Sequence, residues 1–370
     1  MAEIAAITPL KDIRQLRLVN RWCAATTFPI LARHLSVLNV ISSLTEFKRF
    51  LRTIPTVFTK KLTIYNGKWP TCSRQEWESH PLLLYEKHPR LLQCGNIAHP
   101  SDILRDSAFI NYRDFLSNER GRTHKSDVEV MKAILNHLPN INTIVLEGLQ
   151  PWSQVPLSNL KLSTLRSGIW IPPTFNGTMD RILRCVVDSL DPQFTVQVLD
   201  VRGKLRIPTF NKCLTARNLA SLRIQSLLVD QTGLQGMPAS TENFNCLKHL
   251  DLGFLMNPIT NLDSDHLHLH AFPYLESIRF IGLVVEEESL FQMIAGSPKL
   301  NRMALFDVTL ARGDWKSLLT RIRKLKGNLS VTLGGILSGL DPHVRISLRG
   351  EAGSLLGAFM ANDVSWPFDA

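Results

Sequence analysis

One short apolar phrase recurs along the second half of the chain, with apolar residues at its first, fourth and sixth positions. It reads Leu219, Leu222, Ile224, then Leu247, Leu250, Leu252, then Leu275, Ile278, Phe280, then Leu300, Met303, Leu305. The steps between phrases are 28, 28 and 25 residues. Fainter copies stand upstream at Ile141, Ile144, Leu146 and at Val196, Leu199, Val201, and Leu162 with Leu165 lies between those two. Leu329, Val331 and Leu333 make a degenerate copy near the end. Alternation of apolar and polar residues at period two predicts a strand at each phrase.

Helical spacing fills the intervals. Ser126 and Glu129 stand at capping-box spacing and open a predicted helix with Met131, Ile134, Leu135 and Leu138 on one face. Thr178 is placed to cap a helix carrying Ile182, Leu183, Val186, Val187 and Leu190. Trp315, Leu318, Leu319, Ile322 and Leu325 form another stripe, with Lys316, Arg321, Arg323 and Lys324 off it. We read these stripes as core.

Strand and helix alternating at 25 to 28 residues match leucine-rich-repeat spacing of ~20–29 residues. The predicted fold is therefore α/β: an irregular leucine-rich-repeat solenoid of roughly seven to eight units, whose apolar faces are buried by stacking. Alternation turns the intervening residues outward. Asp200, Arg202, Arg223, Gln225, His249, Asp251, Arg279, Arg302 and Phe306 form the candidate substrate-binding ladder. Taken singly each fits an ordinary solvated sheet face; taken together they resemble the platform that solenoids offer to partners.

Residues 66–125 fit the repeat poorly. Pro70, Pro81, Pro89 and Pro100 interrupt helices, while Trp69, Trp77, Tyr85, Phe109, Tyr112 and Phe115 point to packing. An ordered insertion is expected there, before an array over residues 126–350 and a C-terminal tail over 351–370. Charge is uneven: residues 1–61 hold ten Lys and Arg against three acids, a net of +7 within a total of +10. That suits an acidic protein partner or nucleic acid. No aromatic–basic interleaving and no zinc-finger or basic-zipper pattern accompanies it, so a nucleic-acid-associated protein is the lesser reading. None of the six cysteines forms a C-x-x-C pair, which favours reduced, buried thiols. No run approaches the ~18 apolar residues of a membrane helix, and the first residues lack the layout of a signal peptide. A cytoplasmic or nuclear setting without membrane contact is expected.

Residues 10–35 carry the most specific signal. They run from Leu10 through Leu16-Arg17-Leu18-Val19-Asn20-Arg21-Trp22, then small residues, then Phe28-Pro29-Ile30-Leu31. This stretch resembles the later two-thirds of an F-box, as found at the head of fungal-type F-box proteins with irregular leucine-rich repeats. Ser43 and Glu46 at capping-box spacing, a helix face of Leu44, Phe47, Leu51 and Ile54, and a strand from Lys61 to Ile64 continue the likeness. The module is assigned to residues 1–36 and the first strand–helix–strand repeat to 37–65. Where that family opens on Leu-Pro-x-Glu-Ile, this chain has Met1 to Pro9 instead.

The resemblance implies a substrate-recognition subunit of an SCF-type cullin-RING ubiquitin ligase. The module would dock on a Skp-type adaptor and through it the cullin, and the repeats would hold a protein substrate. Adaptor contact would fall to Ile13, Leu16 and Val19 on one line, with Leu18 and Trp22 beside it. The alternative is a leucine-rich scaffold without ligase docking. An enzyme is not expected: no Walker A loop, G-x-G-x-x-G, G-x-S-x-G or H-E-x-x-H occurs. No cofactor is implied. Asp263, Asp265, His266, His268 and His270 have zinc-compatible residue types, but they sit between two repeats with Leu267 and Leu269 interleaved, and no metal site is assigned.

Overall fold

The computed structural model describes residues 27–67, 69–79, 102–148, 177–190, 196–206, 209–210, 219–229, 246–256, 272–327, 329–339, 345–348, 351–360 and 364–368. The chain divides into two compact units, Met1–Thr195 and Val196–Ala370. Both are mixed α/β, with mostly parallel strands and no closed barrel among the described residues.

In the first unit, strands β1 (His34–Leu38), β2 (Lys61–Asn66) and β3 (Thr143–Gly148) pair in parallel, with His34 beside Lys61 and Lys61 beside Thr143. Leu35 and Val37, Leu62 and Ile64, and Ile144 and Leu146 fill one buried face. Helices α1 (Ile41–Leu51) and α4 (His124–Asn136) follow the predicted stripes, burying Leu44, Phe47 and Leu51, and Met131, Ile134 and Leu135. Residues 27–31, just ahead of β1, are also helical.

The caps differ from expectation. The side chain that caps α4 is Thr123, in a reciprocal box with Ser126, so the helix starts before Ser126. Helix α1 begins at Ile41, which puts Ser43 inside its first turn; its N-cap residue Val40 makes no side-chain bond, and the Glu119 carboxylate accepts the Ile41 N–H at 2.8 Å instead. Helix α5 (Asp180–Ser189) likewise has Met179 at its cap position and no side-chain bond. A distant carboxylate replaces the local cap in α1, and burial of its apolar face overrides the local capping preference in α5.

Between β2 and α4 lie α2 (Arg74–Glu78) and α3 (Asp102–Arg120). Trp69, Trp77, Ala108 and Tyr112 form a buried cluster with Leu38 and Val40. Phe115 meets Trp69 edge-on at 4.9 Å, and Phe109 meets Trp77 at 5.5 Å. Tyr85 lies outside the described residues.

Arg122 ties this unit together. Its guanidinium donates to Asp127 at 2.8 Å, to Glu119 at 2.7 Å and to the Asn39 side chain at 2.9 Å. Burial alone would lower its pKa; Glu119 and Asp127 more than offset this, and it ends above the usual arginine value. Arg181 on α5 adds a second cation to Asp127 at 2.7 Å, from a half-exposed position.

The second unit carries parallel strands β4 (Val198–Arg206), β5 (Ser221–Val229), β6 (His249–Met256), β7 (Ser277–Ile281), β9 (Arg302–Phe306) and β11 (Ser330–Gly334). Neighbours pair in register: Leu222 lies beside Leu250, Leu250 beside Ile278, Ile278 beside Met303 and Met303 beside Val331. Residues of the phrases from Val196 to Leu305 are buried, with Ile224, Leu252, Phe280 and Leu305 fully so; in the last copy Leu329 is buried while Val331 and Leu333 are half-buried.

A second small sheet was not foreseen. It orders β13 (Arg345–Ser347), β12 (Ile336–Ser338), β10 (Thr309–Arg312) and β8 (Val284–Glu286). Three of its strands, β8, β10 and β12, arise because β7, β9 and β11 each run into a left-handed corner: Gly282 at φ 70°, Asp307 at 53° and Gly335 at 71°. Each corner turns the chain from the long sheet to the short one. Gly suits that region for want of a Cβ. Asp307 adopts it while its side chain accepts the Ile336 N–H at 3.0 Å.

Helices α6 (Glu287–Ala295), α7 (Trp315–Leu325) and α8 (Glu351–Met360) complete the unit. Glu287 accepts from the Asp314 N–H, the Ser317 hydroxyl and Arg321, at 2.8, 2.7 and 3.1 Å, and so binds α6 to the start of α7. Helix α8 lies against β11, the last strand of the long sheet, across a cavity of about 160 Å³. Arg323 of α7 stacks on Phe359 and donates to its carbonyl.

Candidate protein-binding face

The register of the second unit lines up two rows of side chains opposite the buried phrases. One row runs Ser221, His249, Ser277, Arg302, Ser330; the other runs Arg223, Asp251, Arg279, Ala304, Thr332. Both line one open groove of about 400 Å³ crossing β5, β6, β7, β9 and β11. That volume falls within the usual range for ligand clefts, about 300–1,000 Å³.

Asp251 is the electrostatic centre. Its carboxylate stands 3.3 Å from Arg223 and 3.6 Å from Arg279, on the strands to either side. Burial pushes its pKa up, and neighbouring Asp200 adds to the rise, against the opposing pull of Arg279 and Arg223. Arg279 also spreads over the Phe306 ring at 5.1 Å. His249 Nδ1 and the Ser277 hydroxyl share a hydrogen bond of 2.8 Å. Arg302 is exposed and makes no ion pair among the described residues.

Of the nine predicted ladder residues, the groove gathers Arg223, His249, Asp251, Arg279 and Arg302. Asp200 is nearly buried, joined to Arg202 at 2.8 Å, and its Oδ1 has no hydrogen-bond partner among the described residues. Arg202 and Gln225 fall where register slips, after Val201 on β4 and after Ile224 on β5. Gly253 takes the place beyond that slip on β6, where a Cβ would stand 2.1 Å from the Gln225 carbonyl. Phe306 sits under Arg279 as a support for the guanidinium. The groove also uses Ser221, Ser277, Ala304, Ser330 and Thr332, which sequence reasoning passed over. Their signal was position: they hold the same places in the phrase as His249, Arg302, Arg223 and Asp251.

The five adaptor-contact candidates, Ile13, Leu16, Leu18, Val19 and Trp22, lie outside the described residues, as do Leu162, Leu165 and the Asp263–His270 cluster. Among the described residues no three His, Cys, Asp or Glu side chains group as metal ligands. Cys72, Cys185 and Cys246 are free thiols, and burial raises that of Cys185 to about 12. No helix among the described residues is long and apolar enough to cross a membrane. No protein-family model matches the chain, and no curated protein matches it either.

Proposed function

We propose that the chain is the substrate-recognition subunit of an SCF-type ubiquitin ligase. It would hold a protein substrate on the outer strand face while residues 1–36 dock on a Skp-type adaptor. In this reading the strand–helix units continue as an irregular leucine-rich solenoid, and the groove lies on its concave side. The observation that carries the substrate half is the paired rows of outward side chains on successive parallel strands, one open groove among them. A long parallel face with aligned polar positions is what repeat proteins present to partners. The ligase half is supported by the F-box-like run from Leu10 to Leu35. The protein supplies proximity and orientation rather than chemistry, and works in the cytoplasm or nucleus.

A second reading, a leucine-rich scaffold without ligase docking, is favoured by one observation. Met1 to Pro9 replaces the Leu-Pro-x-Glu-Ile phrase of the first F-box helix. Co-purification with a Skp-type adaptor separates the two. We expect wild type to bind at low micromolar concentration, more weakly than an F-box with an intact first helix, and Leu18→Asp to lose binding while remaining folded. An apolar contact at such an interface dominates its energy, so one buried charge suffices to break it. A folded wild type that does not bind the adaptor leaves the scaffold reading in place.

A further inference from the structure

We infer that the groove across β5 to β11 takes an acidic, carboxylate-bearing extended segment of a partner protein, with Arg302 as its anchoring residue. This rests on reading the strand face as the substrate platform, and does not depend on adaptor docking.

The charges in the groove are unequal in availability. Arg223 and Arg279 share Asp251, and Arg279 is also committed to Phe306. Arg302 has no such commitment among the described residues, yet lines the same groove. A free guanidinium presents parallel N–H donors that match a carboxylate in bidentate fashion. Around it, Ser330 and Thr332 supply hydroxyls that can donate to the same ligand.

Asp251 occupies two of the groove's three arginines. The groove lining holds three arginines and one aspartate, so its net charge is positive but divided. A phosphate dianion would need a second unshared cation, and the other two arginines of the groove are already shared with Asp251. A carboxylate needs only Arg302. Nucleic acid is a poorer fit, because base stacking needs an accessible ring and the aromatic ring beside the groove, Phe306, is covered by Arg279. The length of the ligand follows from geometry. Five strands at ~4.8 Å spacing span about 19 Å, the reach of about six extended residues.

Fluorescence anisotropy on the full chain tests this with four labelled probes of about eight residues or nucleotides, enough to cross the groove. They are an alternating Glu–Gly peptide, its Gln–Gly counterpart, a version with phosphoserine in place of Glu, and an oligothymidine. The Glu–Gly peptide should bind best, weakening severalfold between about 50 and about 300 mM salt. Arg302→Gln should reduce its affinity about tenfold, and Arg302→Lys should restore part of it. Arg312→Gln, on β10 and outside the groove lining, should change nothing. Near-equal binding of the Gln–Gly peptide, or indifference to Arg302→Gln in a folded protein, overturns the assignment. Tighter Arg302-dependent binding of the phosphoserine peptide reassigns the groove to phosphate, and of oligothymidine to nucleic acid. Adaptor binding is measured separately, so loss of the ligase reading leaves this result standing.

Discussion

The side chains that matter most to this fold are distinguished by where their charge sits. Arg122 has a side chain only 5% exposed, against 50% for Arg181, and both bond Asp127. Removing Arg122 leaves Asp127 and Glu119 without their main cation in a poorly solvated place. Arg122→Ala should therefore cost about 3–5 kcal/mol. Arg181→Ala should cost under ~1 kcal/mol, because water already screens its half of the pair. Equilibrium urea unfolding followed by circular dichroism measures both; equal effects would mean that Asp127 is satisfied by either arginine alone. Little of this was legible in the sequence. Arg122 stands in a stretch that fits no repeat, and its partners Asn39 and Asp127 are brought to it by folding. The outward ladder was more legible, since period-two alternation assigns Arg223, Asp251, Arg279 and Arg302 to one face. The pairing of Asp251 with two arginines, and the lack of an ion pair on Arg302 among the described residues, were not. Those depend on side-chain reach across strands, which register alone does not specify.

At the scale of elements, periodicity located the strands well because each phrase buries the same positions against the same neighbours. Caps were less legible: Ser43 and Thr178 matched the local preference, yet α1 is capped by Glu119, 78 residues on, and α5 has no bond from its cap residue. The short second sheet escaped notice for a different reason. Its strands are three or four residues long, too short for periodicity to register. The left-handed residues that create them, Gly282, Asp307 and Gly335, carry a signal only once the preceding strands are placed. One link between elements is sensitive to acid. Burial would raise the pKa of Glu287, but bonds from Ser317, the Asp314 N–H and Arg321 hold it below the ordinary glutamate range. A carboxyl lowered in the folded state contributes stability that is in place above its unfolded pKa and is lost as pH falls through its folded value. Glu287→Gln should thus lower stability at neutral pH by about 1–3 kcal/mol, through weakened and unpaired donors. The variant should also lose less stability than wild type on acidification. Unfolding midpoints compared at pH ~7 and ~4 check this; parallel losses would remove Glu287 as a source of the acid sensitivity.

For the molecule as a whole, the end of the long sheet has a consequence for its solubility. Strands β4 to β11 in the second unit are all parallel, and β11 is the last of them. A terminal strand presents a row of backbone donors and acceptors that can template another chain. Helix α8 lies beside that strand, fastened by Arg323 to the Phe359 carbonyl and ring. The outward residues of β11, Ser330 and Thr332, bear no charge that would repel an incoming strand. The helix is thus a guard against polymerisation as much as a piece of the core. A chain ending before Glu351 should still fold its inner strands, yet form concentration-dependent oligomers that grow by adding copies at β11. Sedimentation velocity across a range of concentrations would reveal them, and a truncated chain that stays monomeric throughout would show that β11 protects itself. Placing a lysine at Thr332 in the truncated chain should restore the monomer, since an edge charge hinders the approach of a second copy.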